Sequence, residues 1–90
     1  MNYTQILKKG ENFLKKNKIK NAWLDSELIL SKVINRKREE ILLNLNHEIK
    51  KKDISKFKNY LFRRKHKEPI SYILGYKYFW KDKFLINKSV

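Results

Sequence analysis

The 90-residue sequence contains no cysteine, a single proline (Pro69) and only two glycines, Gly10 and Gly75. The absence of cysteine excludes disulfides and thiolate metal sites, and it is compatible with a reducing cytoplasm. Two glycines so far apart cannot build the glycine-rich loop that holds a phosphate or a dinucleotide. The most apolar stretch, residues 28–34, is interrupted by a serine and a lysine, so we expect no membrane span.

Acidic residues are also scarce, with 9 Asp and Glu against 23 Lys and Arg and a net charge of +14. One interpretation is a polyanionic partner, because clustered cations attract phosphates in a salt-dependent way. The other interpretation is compositional. The chain has 19 lysines, 10 isoleucines and 9 asparagines, and these are the residues that AT-rich coding sequences over-use. Both interpretations stay open at this point.

The sequence offers no catalytic constellation. His47 and His66 are far apart, and no further residues at ligand spacing accompany them, so we expect no metal site. Asp25 and Glu27 are two positions apart on a predicted helix, where they face different directions and cannot act together as an acid–base pair. A structural role is therefore expected for both carboxylates, whereas Arg38 is expected to be solvated.

The spacing of apolar residues predicts four helices and a short fifth one. These predicted helices cover residues 4–17, 22–34, 37–45, 53–65 and 69–74. Thr4, Asn21 and Asp53 are the expected caps of the first, second and fourth helices. Gly10 lies inside the apolar stripe of the first helix, where it lowers helix propensity by about 1 kcal/mol relative to alanine. We therefore expect another helix to approach closely at Gly10.

The predicted core depends on the faces that these helices bury. The second helix is expected to bury a wide apolar face that includes Leu24 and Leu28. The third is expected to bury Leu42, and the fourth either Tyr60 or Phe62. With 90 residues, the folded chain can bury a real but modest core, and a large catalytic cleft is not expected.

The C-terminal part is unusually aromatic, with six of the twelve aromatic residues between Tyr72 and Phe84. Pro69 suits the first position of a short helix that Gly75 would close in a left-handed conformation. Beyond Gly75 the apolar residues alternate, which predicts a β-hairpin with its turn near residues 81–82. Because an isolated hairpin is marginally stable, it either packs on the helices or forms a docking edge for more protein.

Several segments match one known family in order and spacing. Residues 24–30, LDSELIL, resemble the LDAELLL helix of the protein-glutamine methyltransferases that modify peptide-chain release factors, the HemK/PrmC family. Residues 63–64 and 68–75, RR and EPISYILG, resemble the family's RR…GEPxAYxxG segment. Residues 78–86 are similar to its EFWGLxFxV hairpin, and Arg38 to the arginine that opens its next helix.

The sequence departs from the family pattern at four positions. Ser26 stands where alanine is usual, Lys67 and Lys81 where glycine is usual, and Tyr78 where glutamate is usual. The two lysines bear on local turn geometry rather than on catalytic residues.

The resemblance implies a mainly α fold. Residues 1–75 would form a small four- to five-helix bundle, the N-terminal substrate-recognition domain. Residues 76–90 would form a β-hairpin and linker toward a Rossmann-type methyltransferase domain that this sequence does not contain. That catalytic domain would bind S-adenosylmethionine and methylate the glutamine of the release factor's Gly-Gly-Gln motif. The 90-residue segment would hold no cofactor and would not be catalytic alone.

The resemblance also suggests a partner or interdomain surface at the C-terminal end of the bundle. Its candidate residues are Arg63, Arg64, Glu68, Tyr76, Tyr78, Phe79, Trp80 and Phe84. The expected partners are the release factor and the chain's own catalytic domain. An exposed hairpin could also lead to self-association. Only weak, nonspecific nucleic-acid binding is expected. Alternatively, the arginines cap the fourth helix and pair with Asp25, Glu27 or Glu68.

We expect a cytoplasmic protein without a membrane partner. The alternative function is a free-standing basic helical module that binds RNA or ribosomes. Its affinity for RNA would fall steeply as the salt concentration rises.

Overall fold

A computed structural model describes residues 1–75, and this part of the chain is helical, as predicted. Its helices are α1 (Tyr3–Lys16), α2 (Ala22–Ile34), α3 (Arg38–Leu43), α4 (Lys51–Lys65) and α5 (Ile70–Leu74). None of these five helices combines the length and the apolar character needed to cross a membrane. The predicted hairpin lies outside the described residues.

The cap of α1 is Asn2 rather than the expected Thr4. The Asn2 side chain accepts a hydrogen bond from the Gln5 amide, and the Gln5 side chain accepts one from the Asn2 amide, each at 2.9 Å. This reciprocal pair is a capping box, which satisfies two amides that the first turn leaves without partners. Thr4 instead donates its hydroxyl to the Leu45 carbonyl oxygen at 3.1 Å, so it ties α1 to the segment after α3.

The core forms where α1, α2 and α4 meet, and α3 and α5 pack against α2. Ile6, Leu7 and Leu14 of α1 and Phe57 of α4 are among its fully enclosed side chains. Gly10 lies at the crossing, as predicted. A methyl group on its Cα would clash with the Ser26 hydroxyl and would lie 2.8 Å from Cζ of Phe57. The absence of a side chain at Gly10 therefore sets how closely the helices approach.

The predicted core was wrong at two leucines. Leu24 keeps 38% of its surface exposed, and Leu42 keeps 45%. On α2 the buried face is centred on Ile29 and Leu30 and includes polar residues that pair with other helices, so Leu24 turns outward. In α3, a helix of six residues, Ile41 is the single residue that is fully buried.

The ends of α4 and α5 also differ from expectation. Asp53 lies in the first turn of α4 rather than at its cap, where its carboxylate still opposes the positive end of the helix dipole. Pro69 is the cap of α5 rather than its first residue. Gly75 has the expected positive φ of 83°, but its ψ of 162° is extended instead of left-handed helical.

The turn after α4 has the hydrogen-bond pattern of a Schellman motif. The Lys67 amide donates to the Arg64 carbonyl at 2.9 Å, and the Glu68 amide donates to the Arg63 carbonyl at 3.4 Å. Lys67 itself has a φ of +70°, a conformation that favours glycine. The lysine at this family glycine position therefore keeps the backbone turn that glycine would make.

Candidate functional site

The C-terminal end of α4 is tied to the start of α2 by an ion pair that is largely buried. Nε of Arg64 donates to Oδ2 of Asp25 at 2.9 Å, and only 6% of the Asp25 side chain and 21% of the Arg64 side chain remain exposed. A second guanidinium nitrogen of Arg64 donates to the Glu68 carbonyl oxygen at 2.9 Å. One arginine therefore holds α2, the end of α4 and the turn that leads into α5.

The neighbouring arginine makes a similar pair on the outside of the same turn. Nε of Arg63 donates to Oε1 of Glu68 at 2.9 Å, and its Nη2 donates to Oε2 of the same carboxylate. This two-point hydrogen bond holds the pKa of Glu68 below its ordinary value and raises the pKa of Arg63. The Arg63 guanidinium also lies 5.6 Å from the ring centroid of Tyr60, within cation–π range.

A third arginine, Arg38 of α3, pairs with the buried carboxylate of Glu27. Its Nε and Nη2 donate to Oε1 of Glu27 at 3.1 and 2.8 Å, and the indole nitrogen of Trp23 donates to Oε2 at 2.8 Å. Arg38 keeps 42% of its side chain exposed, so it is solvated in part as expected, but it also binds Glu27, because both oxygens of Glu27 need donors once that side chain is buried. The structural role expected for Asp25 and Glu27 is confirmed.

Two aromatic side chains near this end of α4 point toward solvent. Phe62 keeps 55% of its surface exposed, and Tyr72 of α5 keeps 71%. Tyr60 is half-buried and packs on the core, so of the two alternatives predicted for α4, Tyr60 faces inward and Phe62 does not. The helical period from Phe57 to Leu61 already places Phe62 off the buried stripe, and that signal could have identified it.

The structure thus brings together three of the eight predicted surface residues, Arg63, Arg64 and Glu68. The other five are Tyr76, Tyr78, Phe79, Trp80 and Phe84, which lie outside the described residues.

In the described part, no buried side-chain nitrogen or oxygen lacks a hydrogen-bond partner. No group of three or more His, Asp or Glu side chains there could hold a metal ion. The arrangement is suited to fixing helices and presenting a surface.

Comparison with known proteins identifies related chains. The sequence model of the family described as PrmC N-terminal domain matches residues 5–75. A "Release factor glutamine methyltransferase" of Clostridium botulinum is 38% identical over 85 residues, which is 94% of this chain and 30% of the relative. One of Leptospira interrogans is 31% identical over the same shares. A "Bifunctional methyltransferase" of Rickettsia felis is 37% identical over 96% of this chain and 16% of the relative.

The chain therefore spans less than a third of the length of the curated relatives it matches. No solved structure matches it significantly. The matched residues include nearly all of α1 and the whole of the four helices that follow. Since this match covers well over half of the sequence, the chain belongs to the PrmC N-terminal domain family.

Proposed function

We propose that this chain is the N-terminal helical domain of a release factor glutamine methyltransferase. The parent enzyme would transfer the methyl group of S-adenosylmethionine to the side-chain amide of the glutamine in the release factor's Gly-Gly-Gln motif. The helical domain would help to position the release factor and to scaffold the catalytic domain, without being catalytic itself. The observation that carries this proposal is the family match over residues 5–75, the span of the helical bundle.

The geometry of the bundle supports a positioning role. The Arg64–Asp25 pair and the bond from Arg64 to the Glu68 carbonyl fix the turn between α4 and α5. That turn sets the direction of α5. We propose that residues 76–90 form the hairpin that links to the catalytic domain in the cytoplasmic enzyme. Tyr76, Tyr78, Phe79, Trp80 and Phe84 would supply its interdomain contacts.

The outer surface of the same turn would face the release factor. Arg63 and Glu68 occupy this surface as a pair, with Tyr72 and Phe62 exposed on the helices beside it. A surface with aromatic side chains and an arginine has the composition that protein interfaces favour. Arg64, in contrast, would act from beneath this surface by holding the turn.

A chimeric enzyme tests the proposal. Residues 1–90 would replace the aligned N-terminal segment of the Clostridium botulinum relative, and transfer of labelled methyl from S-adenosylmethionine to a release factor would be measured. We expect the chimera to methylate the release factor much faster than the relative's catalytic part does alone. The 90-residue chain by itself should transfer no methyl group.

Two outcomes would contradict this assignment. A chimera no faster than the catalytic part alone would leave the helical domain without a positioning role. A titration of the 90-residue chain with RNA that shows tight binding with a steep salt dependence would favour the RNA-binding alternative. As a control, the chimera with its transferred segment scrambled should behave like the catalytic part alone.

A further inference from the structure

An open apolar groove of about 520 Å³ runs between α1 and α4, and neither Arg63 nor Arg64 lines it. Its floor is made of core side chains, among them Ile6, Phe57 and Leu61. Its walls include the half-buried Phe13 and the exposed Phe62. The groove therefore reaches the side chains of the hydrophobic core.

The groove follows the axes of its two helices. On α1 the lining residues recur from Ile6 to Lys16, and on α4 from Ile54 to Phe62, at spacings of three and four positions. At a rise of 1.5 Å per residue, the α1 side is about 15 Å long. An apolar trough about three helical turns long has the shape that accepts the apolar face of an amphipathic helix.

The rim of the groove is cationic. Lys9, Lys16 and Lys58 line it, and no acidic residue among residues 1–75 does so. Lys65 lies 5.5 Å above the ring of Phe62 and adds a further positive charge at the edge. The two helices together contain eleven lysines and arginines and two acidic residues, and two of these cations, Arg63 and Arg64, are already paired with carboxylates. A partner that fills the trough must therefore bring negative charge to its edges.

The remainder of the chain does not meet that requirement. Residues 76–90 contain four lysines and one aspartate, so this segment is itself cationic. A second copy of the chain carries the same net charge of +14. Both would be repelled by the lysine rim, although each could supply apolar side chains.

We propose that the groove between α1 and α4 is a docking site for an acidic amphipathic helix of a partner protein. The apolar stripe of that helix would lie on Phe13, Ile54 and Phe62, and its flanking carboxylates would face Lys9, Lys16 and Lys58. The inference does not rest on the methyltransferase assignment, because it uses only the shape and charge of the groove.

The test uses the full 90-residue chain and a fluorescein-labelled, lactam-stapled peptide of about 15 residues, the length at which a helix becomes marginally stable. The peptide carries leucines at positions i, i+3, i+7 and i+10 and glutamates at most others. Both peptides share the same Lys–Glu lactam bridge, and the twin carries lysine in place of every glutamate outside that bridge. By fluorescence anisotropy we expect the glutamate peptide to bind about tenfold or more tightly than its twin. Amide shift changes should map to α1 and α4.

A matched pair of variants tests the location. Lys9→Glu with Lys58→Glu reverses two rim charges and should weaken binding about tenfold. Lys8→Glu with Lys56→Glu changes the net charge equally on the same two helices, but these lysines do not line the groove. The second variant should bind nearly as well as the wild type. Circular dichroism would verify that both variants keep their helices.

Four results would overturn the proposal. The first is equal loss of binding in both variants, which would mean attraction by net charge alone. The second is binding of laurate in the groove when the glutamate peptide does not bind, which would indicate a lipid-like ligand. The third is a set of nuclear Overhauser contacts between residues 76–90 and Phe13 or Phe62 in the free chain, because the groove would then be filled by the chain itself. The fourth is a concentration-dependent dimer that buries the groove.

Discussion

The two adjacent arginines at the end of α4 allow a matched test of what holds this bundle together. Arg63 and Arg64 each bind a carboxylate through a nitrogen–oxygen contact of 2.9 Å, but one pair is exposed and the other is largely buried. Replacement of either arginine by methionine keeps much of the aliphatic stem and removes one positive charge. The net charge of the two variants is therefore the same, so a difference between them reports the environment of the pair.

The buried pair should dominate. Arg64→Met leaves the Asp25 carboxylate without its guanidinium, with only 6% of that side chain exposed. Loss of one partner from a buried pair costs about 3–5 kcal/mol, and we take the lower end, about 3 kcal/mol, because solvent reaches part of Arg64. Small domains have about 5–15 kcal/mol of stability in total, so this is a large fraction. Arg63→Met should have little effect, because exposed ion pairs contribute little.

Urea unfolding followed by circular dichroism at 222 nm would measure both variants. The result that refutes this reasoning is an equal loss of stability for Arg63→Met and Arg64→Met. A rescue variant adds a further check, because Arg64→Met combined with Asp25→Leu replaces the ion pair by apolar groups. Such replacements are often neutral or stabilising, so the double variant should regain most of the lost stability.

Three further predictions concern single sites. Gly10→Ala should destabilise the chain by about 1–2 kcal/mol in urea unfolding, although alanine has the better helix propensity, because the new methyl group overpacks the helix crossing. Adding Ser26→Ala should recover part of this loss. A Gly10→Ala variant more stable than the wild type would contradict the close approach of the helices. Lys67→Gly should stabilise the chain by about 0.5–1 kcal/mol, since glycine adopts the positive φ without strain, and destabilisation would argue against the observed turn. The pKa of Glu68, followed by carboxyl carbon shifts in an NMR titration, should lie below 4.5 in the wild type and return toward it in Arg63→Met. Because the folded-state pKa of Glu68 is lowered, the Arg63–Glu68 pair stabilises the fold at pH values above the unfolded-state pKa of Glu68, and this stabilisation is lost as the pH falls through the folded-state pKa. If the pKa of Glu68 is the same in Arg63→Met as in the wild type, the hydrogen bond from Arg63 is not the cause of the lowered pKa.

The sequence predicted the helices better than the faces that they bury. Apolar spacing located α2 at both ends, because a long periodic segment constrains its own boundaries. It failed at Leu24 because periodicity cannot show that Asp25 and Glu27 will be buried by arginines from other helices. Those pairings join residues 39 and 11 positions apart and depend on tertiary packing. The sequence motif predicted that Arg63, Arg64 and Glu68 belong to one surface. It did not predict that Arg63 would form an exposed ion pair and Arg64 a buried one.

The two glycines, Gly10 and Gly75, occupy positions that residues with a side chain fill poorly. Lys18, Asn35 and Lys67 all adopt a positive φ at helix ends, so other residues serve there at a modest cost in strain. Gly10 meets a different demand, because the packing of Ser26 and Phe57 leaves no space for a Cβ. Gly75 has open space around it, but its φ of 83° and ψ of 162° lie in a region that is almost exclusive to glycine. Each glycine therefore stands where substitution fails for a separate physical reason, one at the helix crossing and the other where the chain leaves α5.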